Sequence, residues 1–143
     1  MTREATLTDL PRLVEMGRHF LAASYRDTLT ENLAQMATLA EQLVTQDNGT
    51  ILVLERDGIL VGMIGMLIFP HHLSAERTAG EVMWWIEPDA RGAGIRLLKE
   101  AEQWARDHGA RKIQMIAPNA RVGQLYARLG YAQIEIAFQK DVA

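Results

Sequence analysis

Apolar residues recur along the first half of the chain with two different spacings, which predict two helices and a set of strands. Positions three and four residues apart indicate two successive amphipathic helices. Their apolar positions are Leu13, Met16, Phe20 and Leu21 in the first helix and Leu33, Met36, Leu39, Ala40 and Leu43 in the second. Four segments are predicted as strands: 2–6, 50–56, 59–69 and 81–87. The Asp57-Gly58 pair predicts a tight hairpin between the second and third of these strands.

The second half of the chain adds a strongly amphipathic helix that starts after Gly94 and ends near Gly109. One face of this helix carries Leu97, Leu98, Ala101, Trp104 and Ala105. Beyond it, the pattern predicts a strand at 112–117, a short helix at 121–129 and a final strand at 131–140. The order β-α-α-β-β-β-α-β-α-β is typical of one mixed α/β (α+β) domain that is built around a single sheet and spans residues 1–143.

Length and composition agree with a single domain and exclude several classes of protein. The chain has 143 residues, of which 48% are apolar and 23% charged, as in ordinary globular domains. The net charge of −3 argues against nucleic acid as a partner, because nucleic-acid binders usually carry a basic surplus. The absence of cysteine excludes disulfides, thiolate metal sites and cysteine nucleophiles.

The sequence also lacks the patterns of membrane and metal-binding proteins. No apolar run reaches the roughly 18 residues of a membrane-spanning helix, and the N-terminus lacks a signal-peptide pattern. We therefore expect a cytoplasmic protein with no membrane partner. His71 and His72 are adjacent, without the spacing of a His-Glu-x-x-His motif, so no metal site is expected.

A glycine-rich turn, Arg91-Gly92-Ala93-Gly94, lies between a predicted strand and the amphipathic helix. Backbone N–H groups at the start of a helix lack partners within the helix, and together with the helix dipole they form an anion site. Glycine lets a phosphate approach the backbone, and Arg91 and Arg96 add positive charge. The alternative is a plain turn that needs glycine for its dihedral angles. The segment is neither a Walker loop nor a dinucleotide-binding fingerprint, because no Gly-Lys-Ser/Thr follows.

The run Trp-Trp-Ile-Glu-Pro-Asp-Ala-Arg-Gly-Ala-Gly-Ile at 84–95 resembles the coenzyme A motif of the GNAT N-acetyltransferase superfamily. That motif is a hydrophobic strand, then x-Pro-x-x-Arg-Gly-x-Gly-Ile-Gly, then a helix. The resemblance implies that the turn holds the pyrophosphate of acetyl-CoA and that the strand lines its pantetheine arm. The cofactor-binding residues implied are Trp84, Trp85, Ile86, Arg91, Gly92, Ala93, Gly94, Ile95 and Arg96. Arg96 stands where the family has Gly or Ala, and its side chain would either crowd the phosphates or pair with them.

A second match to the same family lies near the C-terminus. Its residues are Asn119, Leu125, Tyr126, Arg128, Leu129, Gly130 and Tyr131, at the family's spacing. The resemblance implies that Tyr126 contacts the cofactor and is the general acid that protonates the thiolate leaving group. A phenol with a pKa near ~10 is protonated at neutral pH and suits this task. Asn119 is implied as a contact to the pantetheine arm. The alternative for Tyr126 is core packing with one satisfied hydroxyl.

An ammonium acceptor must lose a proton before it attacks a thioester, so a general base is expected. Glu81 begins the strand before the turn, where many GNAT enzymes place a carboxylate that acts through water. A raised pKa would favour this role, and a bulge in the same strand would expose an N–H for the oxyanion, as in family members. Glu87, Glu76, His71 and His72 are the alternative bases.

The resemblance also implies where the acceptor enters and what the protein does. The candidate acceptor contacts are Tyr25, His71, His72 and Glu76. The implied reaction moves an acetyl group from acetyl-CoA to the primary amine of a small molecule or peptide, by direct attack in a ternary complex. The alternative is a non-catalytic GNAT-fold module that binds coenzyme A or a protein partner. The implied fold is a mixed sheet of six or seven strands with about four flanking helices, and the family's dimers make a homodimer an expected assembly.

Overall fold

A computed structural model describes all 143 residues, and its elements follow the predicted order except at the final strand. The strands are β1 (Thr2–Glu4), β2 (Gly49–Arg56), β3 (Ile59–Pro70), β4 (Arg77–Ile86) and β5 (Lys112–Gln114). The helices are α1 (Leu10–Ser24), α2 (Leu33–Thr45), α3 (Gly94–Asp107) and α4 (Ala120–Arg128). Short 3₁₀ turns at Leu7–Asp9 and Pro88–Ala90 precede α1 and α3. None of the helices is long and apolar enough to cross a membrane.

The five strands form one mixed sheet in the order β1-β2-β3-β4-β5. Neighbouring strands are antiparallel except for β4 and β5, which are parallel. Asp57 and Gly58 have φ angles of 52° and 76°, which confirms the predicted hairpin between β2 and β3. The φ angles of 76° at Gly109 and 95° at Gly130 agree with the predicted ends of α3 and α4.

Each face of the sheet carries its own hydrophobic core. α1 and α2 cover one face, where Met16, Leu43 and Trp85 are among the buried residues. α3 covers the other face, and all five residues of its predicted apolar face are buried there. Trp84 packs against the α3 core while its neighbour Trp85 belongs to the α1–α2 core, as the alternation of side chains along a strand requires.

β4 contains a bulge that changes which residues share a face. In its pairing with β3, Met83 lies opposite Gly65 and Glu81 lies opposite Met66, so Val82 is an extra residue without its own partner. Val82 and Met83 consequently both pack with the α1–α2 core, although they are consecutive in the strand. The bulge predicted for this strand is therefore present.

The predicted final strand at 131–140 is wrong, and the sheet has five strands instead of six or seven. Ile134, Ile136 and Phe138 alternate with other residues as they would in a strand, yet they remain 67%, 68% and 94% exposed. A strand forms only where a neighbouring strand accepts and donates its hydrogen bonds, and none of the five strands pairs with this segment. Alternation indicates a tendency to pair, but it does not supply the partner.

Two predicted strand boundaries differ from the structure by at least three residues. β4 begins at Arg77 instead of residue 81, because its ladder with β3 continues as far as the Pro70–Arg77 pair. β5 ends at Gln114 instead of residue 117, because its pairing with β4 stops there. Both differences follow from pairing between strands, which the local sequence pattern does not report.

Candidate active site

β4 and β5 pair over only three residues and then separate, and the candidate site lies at that point. The pairing runs from Thr78–Lys112 to Gly80–Gln114. Beyond Gly80, the edge of β4 that faced β5 has no strand partner. Backbone groups on that edge, apart from the Ile86 carbonyl, which accepts from Arg91 Nε, therefore have no strand partner and can bind another extended molecule.

Glu81 and Tyr126 meet at the backbone of one residue, Ile116, just beyond this separation. The Ile116 N–H donates to Glu81 Oε1 at 3.1 Å, and the Tyr126 hydroxyl donates to the Ile116 carbonyl at 3.3 Å. Glu81 is 8% exposed and Tyr126 is 6% exposed. The two candidate catalytic residues, which are 45 positions apart in the chain, thus lie in one buried site.

The electrostatic environment gives these two groups different protonation states. Burial raises the pKa of Glu81 to about 7, although the hydrogen bond from the Ile116 N–H acts in the opposite direction. Burial, and then the charge of Glu81, raises the pKa of Tyr126 above its ordinary value. At neutral pH the carboxyl group of Glu81 therefore exchanges its proton readily, while Tyr126 stays protonated. A base and an acid whose pKa values differ in this way are the pair of groups that proton-transfer catalysis needs.

Aromatic rings hold Tyr126 in place. Its ring stacks on Trp84, with centroids 5.9 Å apart and an angle of 21° between the planes. The ring of Tyr131 lies 5.6 Å away on a tilted plane. The packing interpretation and the catalytic interpretation of Tyr126 are therefore compatible, because the ring is packed while the hydroxyl reaches the point where the strands separate.

The glycine-rich turn presents free backbone N–H groups at the start of α3. No side chain caps this helix, and the N–H groups of Gly94, Ile95 and Arg96 form no hydrogen bond within the protein. Neither Gly92 nor Gly94 has a positive φ angle, so the turn does not need glycine for its dihedral angles. The interpretation as a plain turn thus loses its main argument.

The two glycines of the turn serve different purposes. A Cβ atom on Gly94 would lie 3.2 Å from Ile86 Cγ1 and 3.3 Å from Trp84 Cζ2, so this glycine lets α3 pack closely on β4. A Cβ atom on Gly92 would meet nothing within 4 Å. Gly92 therefore faces open space beside the free N–H groups, which is where an anion would approach.

The other residues implied for the cofactor site occupy several positions around this turn. Arg91 donates from Nε to the Ile86 carbonyl at 2.8 Å, and its guanidinium lies 4.9 Å from the centre of the Trp85 ring. Ala93 is the residue before the first turn of α3, and Arg96 is exposed. Asn119 caps α4, because its Oδ1 accepts from the Val122 N–H at 3.0 Å.

Glu87 is held in an ion network and is poorly suited to accept a proton. Its Oε1 lies 2.7 Å from His19 Nδ1 and 3.0 Å from Trp85 Nε1, and Arg12 Nη2 is 3.6 Å away. Burial raises the pKa of Glu87, but the hydrogen bonds from His19 and Trp85 outweigh this effect, so the net pKa is lowered. No sequence pattern pointed to His19, which lies 68 residues from Glu87 in the chain.

Three of the four candidate acceptor contacts lie at the tip of the β3–β4 hairpin. The rings of His71 and His72 stack there with centroids 4.6 Å apart. Glu76 pairs with Lys112 Nζ at 2.9 Å, which lowers its pKa. β4 begins four residues before Glu81, a separation of about 13 Å along an extended chain. The structure therefore does not bring these three residues to Glu81.

Tyr25, the fourth candidate, lies at the end of α1 and close enough to Glu81 to sense its charge. Burial raises the pKa of Tyr25, and the charge of Glu81 raises it further. Tyr25 also lines a cavity of about 330 Å³ between α1, α2 and the sheet. Twelve of the thirteen lining residues are apolar or aromatic, and Val82 and Met83, which follow Glu81 directly, are two of them. Six of the thirteen lining residues belong to the apolar stripes predicted for the two helices: Leu13, Phe20, Leu21, Met36, Leu39 and Ala40.

Comparison with known proteins identifies the class to which this fold and site belong. The family model described as the acetyltransferase (GNAT) family matches residues 14–131. The chain therefore belongs to the GNAT acetyltransferase family, as its coenzyme A motif implied. No curated protein matches this chain.

Solved structures share the fold over the whole chain at low sequence identity. A predicted acetyltransferase from Clostridium acetobutylicum, solved with acetyl-CoA, has a TM-score of 0.83 and 14% identity, over 99% of this chain and 95% of that chain. An aminoglycoside 6'-N-acetyltransferase from Acinetobacter haemolyticus has a TM-score of 0.78 and 16% identity, over 100% and 99%. A protein described as a transcriptional regulator from Bacillus halodurans has a TM-score of 0.78 and 21% identity, over 99% of both chains. At such identities the likeness shows the fold alone.

Proposed function

We propose that this protein is an acetyl-CoA-dependent N-acetyltransferase that acetylates a primary amine by direct attack within a ternary complex. One observation carries the proposal. Glu81, whose pKa is raised to about 7, and Tyr126, which stays protonated, meet at Ile116 where β4 and β5 separate. An acid and a base at the end of an uncovered strand edge match the needs of aminolysis of a thioester.

The turn before α3 suits the pyrophosphate of acetyl-CoA. Its negative charge would be bound by the free N–H groups of Gly94, Ile95 and Arg96. The open space at Gly92 would let the pyrophosphate approach these groups. The uncovered edge of β4, from Trp84 to Ile86, would run beside the pantetheine arm. The thioester would supply the acetyl group at the end of that arm, near Glu81 and Tyr126.

The chemistry of the transfer follows from the two titratable groups. Glu81, in its ionised form, takes a proton from the ammonium acceptor, either directly or through a water molecule. The free amine then attacks the thioester carbonyl carbon, a C–N bond forms, and free backbone N–H groups of β4 stabilise the oxyanion. As the C–S bond breaks, the Tyr126 hydroxyl gives its proton to the sulfur, and the second proton of the attacking nitrogen, lost as the amide forms, restores that hydroxyl. No acyl-enzyme is required, and the chain has no cysteine to form one.

Calorimetric titration of acetyl-CoA into the wild type and two variants of Gly92 tests the cofactor site. Gly92→Trp places a bulky side chain where an added Cβ atom meets nothing within 4 Å, so its melting temperature should match that of the wild type. We expect its affinity for acetyl-CoA to fall about 100-fold, equivalent to losing one or two charge-assisted hydrogen bonds. Gly92→Ala, which adds only one carbon, is the matched control and should bind nearly as the wild type does.

A transfer assay distinguishes the enzyme from a non-catalytic coenzyme A binder. The release of coenzyme A can be followed with a thiol-reactive dye, because the protein itself contains no cysteine to react with it. Acetylation of an amine that depends on Glu81 and Tyr126 supports the proposal. Tight binding of acetyl-CoA without transfer to any amine of a broad panel would instead favour the non-catalytic module.

A further inference from the structure

We propose that the protein has a second ligand site, separate from the candidate active site, which binds a small primary ammonium compound that carries a hydroxyl group. The site is a polar pocket of about 240 Å³ where the C-terminal ends of α2 and α3 meet the start of β2. The inference goes beyond the proposed function and does not depend on it, because none of the residues that line this pocket takes part in the proposed transfer chemistry.

The wall of the polar pocket is negatively charged. Glu4 and Asp47 line it, and neither carboxylate forms a salt bridge within the protein. The hydroxyl of Thr50, a residue that is only 4% exposed, donates to Glu4 Oε1 at 3.2 Å and so holds this carboxylate at the wall. No lysine or arginine lines the pocket. A cation that enters therefore meets two carboxylates and no competing positive charge in the wall.

Two helices direct their negative ends toward the polar pocket. Val44 and Thr45 end α2, while Trp104 and His108 lie in the last turn and at the C-cap of α3. Carbonyl groups at a helix C-terminus lack partners within the helix and carry the negative end of its dipole, which attracts cations. Arg77 Nε donates to the His108 carbonyl at 2.7 Å, but Arg77 does not line the pocket. The opposite, positive end of α3 lies about 20 Å away, at the proposed pyrophosphate site.

The acceptors in this wall suit an ammonium group better than a metal ion. No three His, Asp or Glu side chains of the protein are grouped so that they could hold a metal ion. His108 Nδ1 lies 2.8 Å from the Trp104 carbonyl, and because a carbonyl only accepts, Nδ1 carries the proton. In the neutral imidazole, Nε2 is then an acceptor. A primary ammonium has three N–H donors, and carboxylates, carbonyls and this nitrogen can accept from them.

Trp104 gives independent evidence for a ligand and for a second polar group on that ligand. It lines the polar pocket and is only 7% exposed, yet its indole N–H forms no hydrogen bond within the protein, unlike that of Trp85. A donor on a largely buried side chain usually has a partner, because leaving it unpaired costs free energy. The indole stacks on the His108 ring, with centroids 4.4 Å apart, which fixes its position. A hydroxyl group beside the ammonium would supply the acceptor that this N–H lacks.

Two-dimensional ¹H–¹⁵N NMR tests the inference, because the three tryptophan indoles of the chain report on separate sites. Trp84 and Trp85 lie on β4 beside the candidate active site, and Trp104 lies at the polar pocket. Ethanolamine, which has one ammonium and one hydroxyl group, is the probe, and acetyl-CoA is left out. We expect ethanolamine to shift the Trp104 indole resonance and to saturate this shift as its concentration rises.

Three compounds that each lack one feature of ethanolamine show which groups the pocket binds. Propylamine has a methyl group in place of the hydroxyl and should bind about fivefold more weakly, because it leaves one neutral hydrogen bond unmade. Choline keeps the charge and the hydroxyl but has no N–H donor, and ethylene glycol has no charge. Both should bind at least about tenfold more weakly than ethanolamine, since hydrogen bonds from an ammonium to a carboxylate are the stronger ones.

Substitutions of the same shape assign the binding to the two carboxylates. Glu4→Gln and Asp47→Asn each remove one charge from an exposed residue, so the fold should be retained. Each should weaken the binding of ethanolamine about tenfold. Glu41→Gln removes the same charge from an exposed position of α2 outside the pocket and is the matched control, which should bind as the wild type does. The affinity of all three variants for acetyl-CoA, measured by calorimetry, should equal that of the wild type.

The outcomes distinguish this inference from the proposed function. No saturable shift of the Trp104 resonance, or shifts confined to Trp84 and Trp85, would overturn the second site. Equal shifts with choline or with sodium chloride would also overturn it, because the pocket would then respond to any cation. An equal loss of binding in Glu41→Gln would show a general effect of net charge and contradict the assignment. If no amine is acetylated, the proposed function fails, but a saturable Trp104 shift that Glu4→Gln weakens still supports this site.

Discussion

Two glutamates six positions apart, Glu81 and Glu87, illustrate how the surroundings of a residue determine its chemistry. Glu81 is buried with one backbone hydrogen bond, and its pKa rises to about 7. Glu87 receives hydrogen bonds from His19 and Trp85, and its pKa is lowered despite burial. The difference lies in burial and in the groups around each carboxylate, because Glu81 is buried with one donor, whereas Glu87 is only partly buried and has two donors and the charges of His19 and Arg12 beside it.

The pH dependence of catalysis should therefore follow Glu81. We expect kcat/KM of the wild type to rise with pH through an inflection near 7, since the base works in its ionised form. Glu81→Gln should lower kcat about 100-fold and remove this inflection. Glu87→Gln is the control and should keep it. Initial rates between pH 5.5 and 9 provide the measurement, and an inflection that survives in Glu81→Gln would assign the base to another group.

Removal of the Tyr126 hydroxyl tests whether this residue is the general acid. Tyr126→Phe keeps the stacking on Trp84 and loses one long hydrogen bond to Ile116, so the fold should be retained. We expect kcat to fall about 100-fold while the affinity for acetyl-CoA changes little. Steady-state kinetics and calorimetry on the same preparation give both numbers. A kcat within twofold of the wild type would leave Tyr126 with a packing role alone.

At the scale of elements, the bulged strand β4 organises the site. The bulge sends Val82 and Met83 to the cavity, and the early end of the β4–β5 pairing uncovers the adjoining strand edge. Gly65, opposite the bulge, has no Cβ atom, and its empty space is filled by the side chain of Met83. The missing side chain of Gly65 therefore leaves room for Met83 in the bulged strand that also carries Glu81.

Gly65→Ala should disturb the bulge. The added Cβ atom would collide with the Met83 sulfur, so the side chain or the strand must move. We expect the free energy of unfolding to fall by about 2 kcal/mol, the usual cost of overpacking a core. Gly123→Ala in α4 is a matched control, since its Cβ atom would make only an ordinary 3.7 Å contact with Ala117 Cβ. That variant should be neutral, or more stable by up to about 1 kcal/mol. Urea unfolding of the wild type and both variants measures the two changes in the free energy of unfolding.

At the scale of the whole molecule, the buried carboxyl of Glu81 links folding to pH. Its pKa is about 7 in the folded protein and 4.5 in the reference state, so the folded form binds more protons between these values. Stability should therefore be greatest on the acidic side of this window and decline as the pH rises toward 7. Asp9 and Glu87, whose pKa values are lowered, lose their stabilising effect only at more acidic pH.

Urea unfolding at pH 5 and pH 8 tests this linkage. We expect the wild type to lose about 2 to 3 kcal/mol of unfolding free energy between the two pH values, from the shift of a single group. Glu81→Gln, which stays neutral, should show a much smaller difference and exceed the wild type in stability at pH 8. Equal slopes for the two proteins would contradict the raised pKa of Glu81.

The local features of this protein follow from its sequence because each depends on residues close together in the chain. The apolar face of α3, the Asp57-Gly58 hairpin and the glycine-rich turn depend on spacing, dihedral preference and the absence of a side chain. Tyr126 was found by its motif, and Glu81 by its position at the start of a strand segment. The sequence therefore determined the family, the order of elements as far as α4 and the two residues on which the proposed chemistry depends.

The tertiary structure decided what those residues become, because burial, pairing and charge depend on groups far apart in the chain. Only the fold brings Ile116 to Glu81 and joins His19 to Glu87. Only the fold leaves the alternating segment at 131–140 without a partner strand. The cavity arises in the same way, since its wall combines two helices and three strands whose apolar positions look in sequence like ordinary core. Periodicity shows which side chains avoid water, and only packing shows whether they leave a space between them.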